Sequence, residues 1–237
     1  MPTTNCLLCG AELEYFQTPR KMSCAYCGKE YETVTACKAG HFICDACHME
    51  QGVTLILEQC KHTASRNPIA IMQQIMAQPQ IYMHGPEHHV LVGAALLSAY
   101  AHSGGKLDLE TVLPEMARRG KQIPGGACGY WGCCGAGVSA GIFVSLITEA
   151  TPLHTKEWGL ANQMTAQALQ AIGELGGPRC CKRDSFTAVK EAVKFVKENF
   201  AIDMELPKKI LCGFSKFNEQ CKKIDCPYYV VEKHEIS

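Results

Sequence analysis

The sequence lacks an excess of charge of either sign, a long apolar run and an apolar leader. Its 23 Lys and Arg residues balance 23 Asp and Glu residues, whereas a general nucleic-acid binder usually carries a basic excess. No window approaches the roughly 18 uninterrupted apolar residues that indicate a membrane span, and the start MPTTNCLLCG is not typical of a signal peptide. The sequence therefore predicts a cytoplasmic protein without membrane contact, and it disfavours nucleic acid as a partner.

Internal repeats and low-complexity segments are also lacking, but composition divides the chain into two regions. Residues 1–62 hold eight cysteines and show almost no helical periodicity, whereas residues 63–237 contain several stretches with apolar residues at helical spacing. We expect a mainly α fold. A small zinc-ribbon-like, β-rich domain in residues 1–62 is expected to precede a helical domain in residues 63–237.

Local signals predict where several helices begin. One helix is expected to start at Pro68 and another at Pro86, because proline suits the first helical position. Pro114 is expected to kink a third helix. The last helix is predicted to be an amphipathic surface helix that is capped by Asp184 or Ser185.

Sixteen cysteines in short-spaced groups distinguish this sequence. Such spacing suits metal binding better than a disulfide framework, and cytosolic thiols stay reduced. Cys-x2-Cys pairs form tight knuckles, and two knuckles complete the tetrahedron around a zinc ion. One predicted set, a zinc-ribbon pattern, is Cys6, Cys9, Cys24 and Cys27, and the second is Cys37, His41, Cys44 and Cys47. The pairing stays open at this stage, because the two sets can interleave.

Two other interpretations apply to the second set. The stretch CDACH, residues 44–48, matches the attachment motif of c-type haem. The absence of an export signal and the flanking Cys37 and His41 favour zinc instead. A partly occupied site or solvent-exposed thiols are the structural alternative.

Residues 84–89, HGPEHH, place three histidines and a glutamate together: His84, Glu87, His88 and His89. His84-x-x-Glu87-His88 matches an inverted zinc-protease motif, which requires both histidines on one helix. Because Pro86 should start the helix after His84, the protease interpretation is disfavoured. We treat all four as candidate catalytic residues, with Glu87 or His88 as general base. Capping and hydrogen bonding at a helix start are the structural alternative.

Residues 125–137 hold six glycines and three cysteines, Cys128, Cys133 and Cys134. The glycines let backbone N–H groups approach an anion or cofactor at the start of the next helix. No Gly-Lys-Ser/Thr follows that would indicate a P-loop. The three cysteines are candidate catalytic residues, with Cys133 or Cys134 as nucleophile, sulfur carrier or ligand. Gly137-x3-Gly141 is more typical of close helix packing.

Five further cysteines lie toward the carboxyl end: Cys180, Cys181, Cys212, Cys221 and Cys226. A proline follows the last of them, as in many iron–sulfur loops. Three tail cysteines plus one of the adjacent pair would supply four ligands to a [4Fe–4S] cluster, and three alone would leave an open iron for substrate. A third zinc ion and inert buried thiols are the alternatives. The neighbouring basic residues predicted to hold an anionic substrate are Arg179, Lys182 and Arg183.

Four stretches carry a family resemblance: HGPEHHVLVGAALL, GKQIPGGACGYWGCCGAGVSAGI, GGPRCCKRDS and the final C…C…CP. Together they resemble an uncharacterised family of cysteine-rich domains of unknown function, over about residues 65–230. The resemblance implies occurrence in anaerobic bacteria and archaea, sometimes joined to radical-SAM or methyltransferase domains. An oxygen-sensitive setting favours iron–sulfur over disulfide chemistry. A weaker likeness to iron–sulfur serine dehydratases and cysteine desulfidases is an analogy only.

Two functional hypotheses arise from these patterns. In the first, residues 84–89, 128–134 and 180–181 converge on one pocket of an iron–sulfur enzyme, which performs lyase, sulfur-transfer or redox chemistry on a small anionic substrate. In the second, the chain is a zinc-binding adaptor or a metal- or sulfur-delivery protein without catalysis of its own, which engages a partner enzyme or RNA. The expected partners are a small molecule or a partner enzyme, and a homo-oligomer is compatible with the sequence.

Overall fold

The computed structural model describes residue 6 and residues 8–231, which form a small sheet and a helical bundle. The sheet pairs two antiparallel strands, β1 (Leu13–Ser23) and β2 (Glu30–Cys37). The α-helices of the described residues are α1 (Asp45–His62), α2 (Pro68–Met76), α3 (His88–His102), α4 (Leu109–Gly120), α5 (Ala127–Tyr130), α6 (Gly135–Ile147), α7 (Lys156–Leu175) and α8 (Cys181–Phe200). Two 3₁₀-helices follow, Ser215–Phe217 and Lys223–Asp225. The prediction of a mainly α fold is confirmed, and the amino-terminal sheet has two strands.

α1 connects the cysteine-rich start of the chain to the helical bundle. It begins directly after Cys44, and its buried side chains Val53, Ile56 and Cys60 belong to the same hydrophobic core as the later helices. The expectation of almost no helix in residues 1–62 is wrong for this segment. Val53, Ile56 and Cys60 lie at helical spacing, a signal that the short-spaced cysteines before them mask in the sequence.

α3 forms the centre of the bundle. Twelve of its 15 residues are buried, and it packs against α1, α2, α4, α6 and α8. Each fully buried Leu, Ile or Val contributes about 1.5–3 kcal/mol, so this helix anchors its neighbours. Although α3 is apolar, no helix among the described residues is both long enough and apolar enough to cross a membrane.

The observed helices can be compared with the positions that the prolines predict. α2 begins at Pro68, and the Asn67 side chain accepts a backbone N–H of its first turn at 3.0 Å, which confirms this start. α3 begins at His88 rather than at Pro86, because the residues between them form a turn. α4 continues through Pro114.

α8 begins earlier than predicted, and its predicted caps are wrong. Cys180 occupies the N-cap position, and its sulfur accepts the Arg183 N–H at 3.5 Å. Asp184 and Ser185 therefore lie inside the first two turns. Residues 182–189 are all buried, so the first half of the expected surface helix is instead inserted into the bundle. The sequence pattern misleads here, because its charged residues are paired in the interior.

Close packing of α6 against α7 confirms the interpretation of Gly137-x3-Gly141. A Cβ atom at Gly137 would lie 2.8 Å from the Leu169 side chain, and one at Gly141 would lie 1.8 Å from Thr165 Oγ1. Side chains of α7 approach the α6 backbone so closely at these positions that a larger residue than glycine would have to displace them.

We expect Gly141→Ala to destabilise the protein by about 1–3 kcal/mol, because the added methyl group overpacks the contact with Thr165. Gly159→Ala on α7 is the matched control, since nothing lies within 4 Å of its Cβ position. This control should stabilise the protein slightly, because alanine favours a helix. Urea unfolding followed by circular dichroism measures both changes, and equal midpoints for the two variants would contradict the packing argument.

Candidate metal centres and a buried polar site

Tight turns place the amino-terminal cysteines. Gly10 and Gly28 have φ values of +71° and +70°, and each donates its N–H to the carbonyl of the cysteine four residues earlier, at 2.8 Å. Glycine tolerates a positive φ without strain, so both knuckles close. A third turn at Gly40 brings His41 beside Cys37, whose sulfur accepts the His41 N–H at 3.2 Å.

The structure joins alternate turns into two groups, in each of which the ligand atoms lie within 4.8 Å of one another. The first group is Cys6, Cys9, Cys37 and His41, and the second is Cys24, Cys27, Cys44 and Cys47. All eight predicted ligands are brought together, but the sequential assignment of the sets is wrong and the interleaved alternative holds. The hairpin is the reason, because pairing of Leu13 with Cys37 returns the end of β2 to the first knuckle.

The spacing within each group fits one tetrahedral ion. Cys9 and Cys37 place their sulfurs 3.8 Å apart, and Cys27 and Cys44 do the same. A tetrahedral ion with zinc–sulfur bonds of about 2.3 Å holds two sulfurs about 3.8 Å apart. His41 Nδ1 lies 3.3 Å from the Cys9 sulfur. Each group can therefore hold a metal ion, and thiolate and imidazole ligands suit several transition metals.

Cys24 shows how the backbone prepares a thiol for metal binding. Desolvation raises its pKa, but N–H groups of Cys44, Cys27 and Tyr26 outweigh that effect and bring the pKa to about 6. The Cys44 N–H lies 3.3 Å from the Cys24 sulfur. The thiolate, which is the form that binds metal, is therefore present at neutral pH.

A cavity, which we call the tail cavity, lies between the start of α8 and the last described residues. Four other cysteines line it: Cys180, Cys212, Cys221 and Cys226. Burial raises the pKa of Cys212 to about 11, and it also raises the pKa of Cys180. Cys181 is not part of this lining and instead accepts a hydrogen bond from the Gly85 backbone. The structure thus separates two cysteines that are adjacent in the sequence.

N–H donors approach three of the four sulfurs in the tail cavity. Cys180 accepts from the Arg183 backbone at 3.5 Å and from Asn218 Nδ2 at 3.6 Å. Cys212 and Cys221 each accept the backbone N–H of the residue two positions later, at 3.4 Å. Hydrogen bonds to a charged form favour that form, so these donors suit thiolates.

His88, at the start of α3, belongs to a buried polar network with Lys182 of α8. Lys182 Nζ donates to His88 Nε2 at 2.9 Å and to the Tyr82 carbonyl at 2.8 Å. His88 Nδ1 lies 3.0 Å from the Gly85 carbonyl, and these partners assign the ring proton to Nδ1. Burial and the Lys182 charge hold the pKa of His88 at about 4, and burial lowers the pKa of Lys182 to about 8.

Glu87 stays ionised next to this network. Burial raises the pKa of its carboxyl group, but the His88 ring and the Lys182 ammonium group lower it below its ordinary value. Glu87 Oε1 accepts the Tyr82 N–H at 3.1 Å. A carboxylate held in this way can accept a proton or a hydrogen bond from a ligand at its other oxygen.

The other two histidines of residues 84–89 contact different neighbours. His84 Nε2 lies 3.2 Å from Asn218 Oδ1, which leads to the tail cavity, whereas His89 Nδ1 lies 3.1 Å from the Ile123 carbonyl. Burial lowers the pKa of both rings. Because both nitrogens of His88 have partners, the inverted zinc-protease interpretation gains no support.

The Gly- and Cys-rich loop reaches the start of α8. Cys134 donates from its sulfur to Asp184 Oδ2 at 3.7 Å, and burial raises the Cys134 pKa to about 12, so this thiol is protonated at neutral pH. Cys133 is half-buried and Cys128 is exposed. Next to this contact, Gly135 packs on the His89 ring. The predicted catalytic cysteines nevertheless line neither the tail cavity nor the cavity beside Glu87.

The predicted anion-binding residues occupy different environments. Arg179 is exposed, whereas Lys182 and Arg183 are buried. Arg183 donates to Asp184 Oδ1 at 3.0 Å and to the Pro178 carbonyl at 2.9 Å. Lys182 and Arg183 therefore donate hydrogen bonds to groups inside the protein. Of the three predicted residues, only Arg179 is exposed at the surface.

Three residues of this region were not predicted from the sequence. His48 is buried in the first turn of α1, and its ring stacks on Tyr82 with 3.2 Å between the ring centroids. Asn218 connects His84 to Cys180. Only His48 had a signal in the sequence, as the last residue of CDACH. Tyr82 and Asn218 belong to no sequence motif, and only the folded structure brings them next to these residues.

Comparison with known proteins gives a family but no activity. A model described as a family of unknown function, DUF5714, matches residues 56–229. This match confirms the resemblance that the sequence motifs predict, whereas the expected taxonomic range and domain fusions stay predictions. No curated protein and no solved structure matches the chain.

Proposed function

Because the chain belongs to the DUF5714 family, whose function is unknown, we propose its function from the arrangement of its cysteines. We propose that it is a redox-active iron–sulfur protein with two amino-terminal zinc ions. Cys180, Cys212, Cys221 and Cys226 hold a [4Fe–4S] cluster in this proposal. The observation that carries it is that four cysteines, one from the start of α8 and three from the tail, line one cavity.

The spacing of these sulfurs favours a cluster over a third zinc ion. Among the described residues, only the two amino-terminal groups bring three or more ligand atoms within 4.8 Å of one another. A single zinc ion requires sulfurs about 3.8 Å apart. An iron–sulfur cluster spans several metal ions, so its four thiolate ligands stand farther apart.

The surroundings of the cavity also suit a cluster of thiolates. Lys222 contributes to its lining, and positive charge compensates for the negative charge of a thiolate-bound cluster. N–H donors to the sulfurs and restricted solvent access are the features by which proteins tune the potential of such clusters. The donor set and its environment therefore fit the proposed group.

Four thiolate ligands favour electron transfer over lyase chemistry. A lyase of this type needs one iron without a protein ligand, where the substrate binds. When each of the four irons has a cysteine, as this lining allows, the cluster exchanges electrons. A redox partner enzyme then becomes the expected partner of the chain.

Cluster binding requires the tail to open. The space between the lining residues is narrow, about 20 Å³, which is little more than the volume for one water molecule. The described residues after α8 form only two 3₁₀-helices and loops. Such loops change conformation more easily than packed helices, so the tail can open to admit a cluster.

Anaerobic purification followed by iron, zinc and acid-labile sulfide analysis tests the proposal. We expect about four iron and four sulfide ions per chain, together with two zinc ions at the amino-terminal groups. Reduction should give an electron paramagnetic resonance signal. Zinc alone, without sulfide, would overturn the proposal.

Adjacent cysteines supply a matched pair of variants. Cys180→Ser should lose most of the iron and sulfide, because its sulfur lines the tail cavity, whereas Cys181→Ser should retain both. Zinc content should stay at two ions in each variant. Equal loss of iron from the two variants would contradict the assignment of Cys180 as the ligand.

A second candidate function is that of a zinc-binding adaptor. The hairpin exposes large side chains to solvent, with Tyr15 at 73 % and Val34 at 47 % exposure. Exposed apolar and aromatic groups are typical of contact surfaces. Two zinc ions without sulfide would favour this adaptor over the redox protein.

A further inference from the structure

A second cavity lies where the amino-terminal metal groups meet the helical bundle. Its volume is about 330 Å³, within the range of small-molecule sites. α1 contributes Asp45, His48 and Met49, and the segment before α3 contributes Tyr82 and Glu87. We call it the α1 cavity. It is separate from the tail cavity, so ligand binding in the α1 cavity does not depend on the proposed iron–sulfur cluster.

Three residues that line the α1 cavity have buried polar atoms without a hydrogen-bond partner in the described part of the chain. These atoms are His48 Nε2, His84 Nδ1 and Glu87 Oε2. His48 and Glu87 are each only 1 % exposed. A buried polar group without a partner is unfavourable, so three such groups in residues that line one cavity indicate that a ligand completes them.

Charge and shape define the class of ligand. The lining holds two carboxylates, Asp45 and Glu87. The Lys182 ammonium group also acts on Glu87, but it lies outside the lining, so the cavity surface itself carries no lysine or arginine. Glu87 Oε1 is already engaged by the Tyr82 N–H, which leaves Oε2 for a ligand. The Tyr82 ring also lines the space, and aromatic faces attract cations.

A metal ion alone fits this geometry less well. His48, His84 and Glu87 do not form a group of ligand atoms within 4.8 Å of one another, whereas the two cysteine groups among the described residues do. A ligand with several atoms can reach donors and acceptors that stand farther apart.

We infer that the α1 cavity binds a small organic amine, with its ammonium group on Glu87 and Asp45 and its hydrogen bonds completed by His48 and His84. This site is new relative to the predicted anion-binding residues, which lie at the start of α8. It also gives the position of α1 a function, because that helix carries both metal ligands and cavity residues.

Titration with 1,4-diaminobutane, followed through the ¹³C-methyl signal of Met49, tests the inference. The diamine should shift this signal saturably in the full-length, metal-loaded protein, and a Met49→Leu variant assigns the signal. The uncharged 1,4-butanediol and the anionic succinate, which have the same four-carbon backbone, should bind at least about tenfold more weakly, because neither pairs with the carboxylates.

Two variants separate the site from nonspecific attraction. Glu87→Gln should weaken the diamine by about tenfold or more, since a hydrogen bond to a buried charge is lost. Asp45 is exposed, so Asp45→Asn should leave folding intact. It should weaken the affinity for the diamine about two- to fivefold. Glu58→Gln, an equal charge change on the exposed side of α1, should have no effect. Equal binding of diamine and diol, tighter binding of succinate, or unchanged affinity in Asp45→Asn would overturn the inference.

Discussion

A chelator that removes the metal ions proposed for the two amino-terminal groups is expected to unfold the hairpin module, which consists of β1, β2 and the cysteine turns around them. The helices α2 to α8 should stay folded. Among residues 8–43, only Cys24, Ala36 and Cys37 are buried. Apolar burial alone therefore cannot stabilise the folded hairpin. Structural zinc sites supply about 10–16 kcal/mol of apparent binding free energy, which is the stabilisation that the hairpin lacks without metal.

Hydrogen exchange measured by mass spectrometry checks this expectation. Peptides from β1 and β2 should lose their protection after chelation, whereas peptides from α3 should retain it, because α3 is buried on most sides. Protected strands in the metal-free protein would contradict the prediction. Loss of protection in α3 would show instead that the hairpin and the bundle unfold as one unit.

The interleaved pairing of ligands has its own consequence. When the protein is loaded with ¹¹³Cd and labelled with ¹⁵N-histidine, only the group that contains His41 should show cadmium–nitrogen coupling. Cys9→Ser should move or remove this coupled signal, and Cys27→Ser should affect the other one. A sequential pairing would give the opposite result for Cys9→Ser, because Cys9 would then share an ion with Cys27.

Asp184→Ala is expected to destabilise the protein by about 3–5 kcal/mol. Arg183 and Asp184 are both buried and form an ion pair at 3.0 Å. Removal of the carboxylate leaves a guanidinium group that cannot lose its proton, and an unpaired buried charge is strongly unfavourable. Cys134 also loses the acceptor of its S–H group.

An exposed pair of the same chemistry supplies the control. Lys197 and Asp203 form an ion pair whose side chains are 63 % and 68 % exposed, and Asp203→Ala should cost at most about 1 kcal/mol. Urea unfolding of both variants with bound zinc gives the comparison. Similar midpoints would show that the interior pair of α8 contributes no more than a surface pair.

Short-range patterns are sufficient to predict several features of this protein. The knuckle spacing predicts all eight amino-terminal residues that the structure groups around two metal positions. Apolar residues at helical spacing predict helices in residues 63–237, and Pro68 predicts the start of α2. These features depend on residues within a few positions of one another, where chain geometry leaves little choice.

Features that depend on distant residues are predicted less well. The predicted start of α8 is wrong because Lys182 and Asp184 look like surface residues, whereas their partners His88 and Cys134 lie on distant segments. α1 is not predicted because the short-spaced cysteines that precede it dominate the pattern of residues 1–62, although Val53, Ile56 and Cys60 lie at helical spacing and form its buried face.

The sequence by itself therefore determined a mainly helical chain of the DUF5714 family, together with the cysteines and the histidine of two groups that could hold a metal ion. The tertiary structure alone decided how the ligands pair, which of Cys180 and Cys181 faces the tail cavity, and that His48 and Glu87 share the α1 cavity. The physical reason is that a knuckle or a cap is closed by neighbours in the chain, whereas a cavity is closed by side chains that only the packing of the bundle brings together.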